Sequence, residues 1–257
     1  MSRSRPTNKI QSPISLTIEY KGGDGVFQYW DTEKKERINL VYPLSFILLD
    51  ELSAVHGWSE KFGANIYSNE IHGLNEPIIV KTFKDKKPIE IMTGLYKDIK
   101  AKVKELGAKY HKNLIVMITE NETIEKGTLC RITLAGAALS AWINKDYDAY
   151  HGVIVINQTL DGQKGSVKYK IPVFENDPRA EFVDEEQALD CDKQVQEYYD
   201  RLAEKYTAHT EAKEDEPIPT ELPSEDNNKG EKKTQAQFES NPEPKDYATE
   251  NDEPTPF

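Results

Sequence analysis

The sequence predicts a mainly β fold with helices: a small barrel or sandwich of short strands, then a further helix, then a disordered acidic C-terminal tail. Three observations predict it. Apolar and polar residues alternate in several short runs, Gly, Asp and Pro clusters separate those runs, and large apolar residues nearly vanish over the last fifty or so positions.

The elements follow in order. Residues 1–12 read as a flexible basic arm. Ile14 to Tyr20 alternates as a half-buried strand does, Lys21-Gly22-Gly23-Asp24-Gly25 is a turn, and Val26 to Trp30 is a second strand. Ile38 to Tyr42 and Leu44 to Leu49 are β-rich runs bent at Pro43, and Asn65 to Ile71 and Pro77 to Phe83 are shorter strands. Thr93 is placed to cap a helix whose Leu95, Ile99, Val103, Leu106 and Tyr110 recur at helical spacing, with Lys97, Lys100 and Lys104 on another face. Leu114 to Thr119 and Leu129 to Leu134 are strands, and Gly136 to Asn144 is a short helix carrying Trp142. Val153 to Leu160 and Ser166 to Phe174 make a hairpin across Asp161 to Gly165. Glu185 to Tyr206 is an acidic helix with Ala188, Cys191, Val195, Tyr198 and Leu202 on one stripe, which either packs back on the body or mediates self-association into a homo-oligomer. An OB-fold places its helix between the third and fourth strands, and the Leu95–Tyr110 helix followed by the Leu114 strand fits that order. The expected organisation is an OB-fold-like β-barrel over residues 1–178, the acidic helix over 179–206 and the tail over 207–257.

Charge divides the chain. Residues 1–174 hold 24 Lys and Arg against 20 Asp and Glu, whereas residues 175–257 hold 9 against 25. A net charge of −12 therefore hides a mildly basic body joined to a strongly acidic appendage, which is the pattern of a polyanion-binding body with an acidic tail or of a body with a solubility tail. No apolar run is long enough to cross a bilayer, and Met1-Ser2-Arg3-Ser4-Arg5-Pro6 lacks the apolar segment of a secretory signal. Two cysteines, Cys130 and Cys191, make neither a disulfide framework nor a zinc quartet. The expectation is a cytoplasmic protein away from membranes.

The residue types point to binding rather than catalysis. Single strands of nucleic acid are held by aromatic faces that stack on bases and by cations that follow phosphates. Tyr29 and Trp30 precede Lys34, Lys35 and Arg37; Trp58, Phe62 and Tyr67 surround Lys61 in a loop; Lys81, Phe83, Lys84, Lys86 and Lys87 form the densest basic stretch; Tyr147 and Tyr150 follow Trp142; Lys168 sits with Lys164, Tyr169 and Lys170 in the last hairpin. Rings also fill barrel interiors, so Phe46, Trp142 and Phe174 are expected in the core and Tyr29, Trp30 or Trp58 on the surface. The five histidines are dispersed without metal-ligand spacing, Gly22 to Gly25 lacks the ending of a phosphate loop, and Asp50-Glu51 reads as surface decoration. No enzyme, metal or cofactor is expected.

The chain closes on Asn251-Asp252-Glu253-Pro254-Thr255-Pro256-Phe257. This acidic end with its penultimate Pro and last Phe resembles the tip of bacterial single-stranded DNA-binding proteins, which reads Asp-Asp-Asp-Ile-Pro-Phe and recruits replication and repair enzymes. Pro254-Thr255 stands where that family has Asp-Ile. Leu134 to Ile143 and Gly165 to Phe174 resemble the phage-encoded OB-fold versions. The resemblance implies a protein that coats single-stranded DNA with little sequence preference during replication, recombination and repair. It would act in a bacterial cell or phage-infected host cytoplasm, with Asp252, Glu253, Pro256 and Phe257 docking partner proteins. An RNA-binding module or a protein adaptor is the alternative.

Overall fold

The computed structural model describes residues 11–144, 149, 152–178 and 185–211. The chain divides into two units, Met1–Tyr199 and Asp200–Phe257. The first carries all the described strands: β1 (Leu16–Lys21), β2 (Val26–Asp31), β3 (Glu36–Asn39), β4 (Leu44–Ser59), β5 (Ala64–Ser68), β6 (Ile78–Lys84), β7 (Lys87–Gly94), β8 (Ala108–Glu120), β9 (Leu129–Leu134), β10 (Val153–Ile156), β11 (Thr159–Lys164), β12 (Val167–Pro172) and β13 (Glu175–Asn176). Helix α1 (Tyr96–Glu105) lies between β7 and β8, α2 (Gly136–Ile143) follows β9, and α3 (Glu185–Glu211) begins in the first unit. The described part of the second unit is the continuation of α3.

The architecture is mainly β. Eleven strands form one sheet in the order β3-β2-β1-β9-β8-β4-β5-β6-β7, with β10 added to β4 and β13 to β10. Among the described residues, only the β1–β9 pair is parallel. No pairing among the described residues joins the ends of this path. The spine is the long antiparallel ribbon of β4 and β8. Along its other edge β4 is shared: Leu44 to Ile47 pair with β10, and His56 to Ser59 pair with β5.

That sharing explains why one sheet face carries two apolar clusters. Near β10, Ile18, Phe27, Phe46, Val116, Ile132 and Ile154 pack with Trp142 of α2. Near β5, Val55, Ile66, Ile78 and Val80 pack with Ile99 and Val103 of α1. A largely buried ion pair lies beside them, Lys112 Nζ to Glu51 at 2.6 Å, and the Trp142 indole N–H donates to the same carboxylate at 2.9 Å. On the opposite face, Cys191 and Val195 of α3 cover Leu52, Ile115, Met117 and Leu129, with Ala188 and Tyr199 packed alongside.

Several expected elements shift. The strand starting at Leu44 continues through Asp50-Glu51 to Ser59, because Lys112 and Trp142 satisfy Glu51 and a bulge accommodates Asp50. A run not expected as a strand, Lys87–Gly94, forms β7 and takes in Thr93, whose hydroxyl donates to Glu90 instead of capping α1. Helix α1 starts after Leu95, and Gly107 at φ 81° ends it, so Tyr110 belongs to β8. The expected last hairpin is two objects: β10 joins the main sheet, while β11 and β12 form a separate two-stranded sheet. On α3 the inward stripe takes Tyr199 rather than Tyr198, as four-residue spacing from Val195 requires. Phe46, Trp142 and Phe174 are in the core as expected.

Candidate nucleic-acid interface

Strand register assigns the side chains of β4 and β8 to alternate faces. On β8, Lys109, His111, Asn113, Ile115 and Met117 share the face that α3 covers at its Met117 end. Their β4 partners continue that face: His56 opposes Lys109, Ala54 opposes His111 and Leu52 opposes Asn113. Beyond the helix the face stays open and runs onto three more strands. Trp58 opposes Asn65 and His56 opposes Tyr67 on β5; Tyr67 opposes Lys81 on β6; Lys81 opposes Glu90 and Phe83 opposes Pro88 on β7.

The open end is an aromatic platform. Trp58 is 56% exposed and Phe83 46%. The rings of Tyr67 and Phe83 stack at 5.2 Å with 28° between their planes. Phe62 lies in the β4–β5 turn, its ring 6.0 Å from the Lys61 ammonium. Two backbone devices hold this edge. Gly57 and Gly107 let the α1–β8 connection press against β4 beside Trp58: a Cβ on Gly57 would sit 2.5 Å from the Gly107 carbonyl oxygen. At the β6–β7 tip, Asp85 and Lys86 both take positive φ (51° and 65°), the backbone of a two-residue hairpin turn, which sets Lys84 opposite Lys87 next to Phe83.

The cations of this end are unpaired, as are Lys35 of the β2–β3 turn, Lys97 and Lys104 of α1 and Lys168 of β12 elsewhere among the described residues; what this end adds is their density beside exposed rings. Lys61, Lys81, Lys84, Lys86, Lys87 and Lys109 make no ion pair among the described residues, whereas Lys21, Lys34, Arg37, Lys112, Arg131 and Lys170 are each paired with a carboxylate. A cation already held by a carboxylate has less to offer a phosphate. A polar belt marks the inner limit of the open surface. Glu70 accepts from Asn113 at 2.7 Å and Arg131 at 3.1 Å, and Thr133 donates to Asn113. Tyr199 of α3 faces this belt, and burial pushes its phenol well above the usual range, with Glu70 adding to the rise.

The expected binding residues thus divide. Trp58, Lys61, Lys81, Phe83, Lys84, Lys86 and Lys87 come together, with Trp58 on a strand rather than in a loop and Tyr67 on a strand close to the expected Asn65–Ile71 run. Tyr29 does not join them: it alternates with Trp30, shares the Phe27 face and packs against the core. Trp30, 52% exposed, opposes Arg37 on the β2–β3 hairpin, where Arg37 is tied to Glu19 at 3.0 Å. With Lys34 and Lys35 they form a second patch, separated from Trp58 by β1, β9 and β8. Lys168 opposes Gln163 in the small β11–β12 sheet, apart from both. Lys97 and Lys104 point outward from α1, whose packing is on the opposite sheet face. Tyr147, Tyr150, Asp252, Glu253, Pro256 and Phe257 lie outside the described residues.

Sequence reasoning missed His56, His111 and Lys109. The signal was present in the alternation His56-Gly57-Trp58 and Lys109-Tyr110-His111, but it emerges only once β4 and β8 extend that far. Among the described residues, no group of three or more His, Cys, Asp or Glu is placed to hold a metal ion, and no helix is long and apolar enough to cross a membrane. No protein-family model matches the chain, and no curated protein or solved structure matches it.

Proposed function

We propose that this protein binds single-stranded DNA with little sequence preference, laying it across the open end of the α3 face. One observation carries the reading: Trp58, Tyr67 and Phe83 share one sheet face with lysines that no carboxylate among the described residues neutralises. Bases offer a π-face whatever their identity, so stacking on such rings contributes roughly 1–3 kcal/mol per base without selecting sequence. Lys81 and Lys109 lie within the platform, and Lys61, Lys84, Lys86 and Lys87 ring its rim, which suits a phosphate backbone running along the edge of stacked bases.

On this reading the strongly paired sheet is an OB-fold-like barrel and the protein is a cytoplasmic, non-enzymatic one, protecting exposed strands during replication, recombination and repair. The acidic segment with Asp252, Glu253, Pro256 and Phe257 docks partner proteins, as the resemblance to single-stranded DNA-binding proteins implies. The test is fluorescence anisotropy of a labelled oligo-dT across a salt series. Affinity is expected to fall steeply as salt rises, because lysines release condensed counterions. An affinity that does not change between low and high salt refutes the reading. Competition by single-stranded RNA of equal length decides whether the preference is for DNA.

A further inference from the structure

Two histidines sit within the aromatic platform, and the stacking-and-lysine reading gives them no task. His56 on β4 and His111 on β8 are diagonal neighbours, since His56 opposes Lys109 and His111 opposes Ala54. Their rings meet edge to face with centroids 6.0 Å apart. His56 is exposed and opposes Tyr67, one half of the stacked ring pair. The His111 Nδ1 atom lies 2.9 Å from the Lys109 carbonyl oxygen. A carbonyl oxygen only accepts, so Nδ1 carries the proton and donates. Nε2 of the neutral ring is then a lone pair, which repels a phosphate oxygen. Protonation turns that atom into a donor and adds a charge.

The surroundings bear on the same group from three strands. Burial lowers the tendency of His111 to protonate; the bond to the Lys109 carbonyl opposes this, His56 and the Lys109 ammonium add to it, and Glu19 of β1 opposes it. Glu19 is itself held by Arg37. Tyr67 on β5 faces His56, and Lys81 lies one strand further on.

We propose that His56 and His111 form a proton-gated phosphate contact within the single-strand path, so that the protein's grip tightens as the medium becomes mildly acidic. The proposal rests on the single-strand reading above. Its sign follows from linkage. A phosphate beside the rings stabilises their protonated forms, so protons are taken up on binding, and for His111 the pKa in the complex lies above that of the free protein. Affinity therefore climbs as pH falls through the value in the complex and levels off below the free value, which for His111 lies under the ordinary 6.5. Each histidine whose pKa rises by about one unit in the complex tightens binding about tenfold.

The experiment uses the full chain and a labelled oligo-dT at about pH 8 and about pH 5.8, with a salt series at each. The expected result is an affinity higher at the lower pH by about tenfold or more, with the logarithmic salt slope steeper by about 0.7 for each further phosphate that a protonated histidine neutralises. His56→Gln with His111→Gln flattens the ratio between the two pH values, and His72→Gln, whose Nε2 lies 3.0 Å from Asp50 at the β4 bulge rather than on the platform, leaves it unchanged. Proton NMR of the wild-type histidines with and without oligo-dT provides a readout that needs no variant: two of them titrate at higher pH in the complex. Binding at pH 8 that is no tighter at pH 5.8, or a tightening that survives the double substitution, overturns the proposal and leaves the single-strand reading standing. No binding at either pH overturns both.

Discussion

One ribbon of two strands ends in two different surfaces. At the Met117 end of β4 and β8, the face carries Leu52, Ile115 and Met117 and is dry beneath α3. At the Lys109 end, the same face carries exposed His56, Trp58 and Lys109 beside a half-buried His111. The backbone is continuous, and from Leu52 and Ile115 to Trp58 and Lys109 the alternation is unbroken, the β4 bulge at Asp50 lying on the covered side, so strand geometry does not account for the difference. The side chains do: aliphatic groups where a helix supplies a partner, and rings with polar edges where none does. An exposed indole or phenol tolerates water at its rim and still offers a flat apolar surface to a second flat group. The Glu70–Asn113–Arg131 belt stands at the border.

The largest effect is expected at the covered end. Ile115→Ala, at a site with no exposure, is expected to cost about 2–5 kcal/mol in denaturant unfolding. A cost below about 1 kcal/mol would mean that α3 does not close this surface. At the open end, Trp58→Ala or Phe83→Ala is expected to leave stability within about 1 kcal/mol and to weaken oligo-dT binding by about 1–3 kcal/mol per base unstacked. Trp30→Ala should change that affinity little. If it weakens binding as much as Trp58→Ala does, the two patches belong to one path and the polar belt does not bound it. A smaller effect is expected from Lys81→Gln or Lys109→Gln, each reducing the logarithmic salt slope by about 0.7. Lys112→Gln, further along β8 but facing the core and paired with Glu51, should lower the melting temperature and leave that slope alone. Smallest of all is Arg37→Ala, which removes an exposed ion pair with Glu19 and should alter unfolding by at most about 1 kcal/mol.

Much of the fold was legible where a strand's own alternation or a helix's own period decided it. Leu129–Leu134 is the strand its residues predict, Gly136 opens the short helix that carries Trp142, and the acidic helix begins at Glu185. What was illegible depended on distant partners. Asp50-Glu51 looks like the end of a strand until Lys112, far along the chain on β8, neutralises the glutamate. With β4 cut there, Trp58 falls into a loop, and its shared face with Tyr67 and Phe83 disappears from view. The Lys81–Lys87 run was found because its chemistry is dense in sequence. The histidines were not, because His56 and His111 meet only across a strand pair. The split of the basic residues into free and paired sets is likewise a property of the folded chain, and composition carries no trace of it.

The three tryptophans occupy three unlike settings: Trp142 is sealed against Phe174 with its indole N–H on Glu51, while Trp30 and Trp58 stand in solvent on separate patches. The protein therefore carries its own optical probes. Emission from the buried indole should be blue-shifted and insensitive to acrylamide, whereas the two outer ones should be red-shifted and readily quenched. A single-tryptophan series would then report separately on the helix α2 packing, the β2–β3 hairpin and the platform, without attaching any dye.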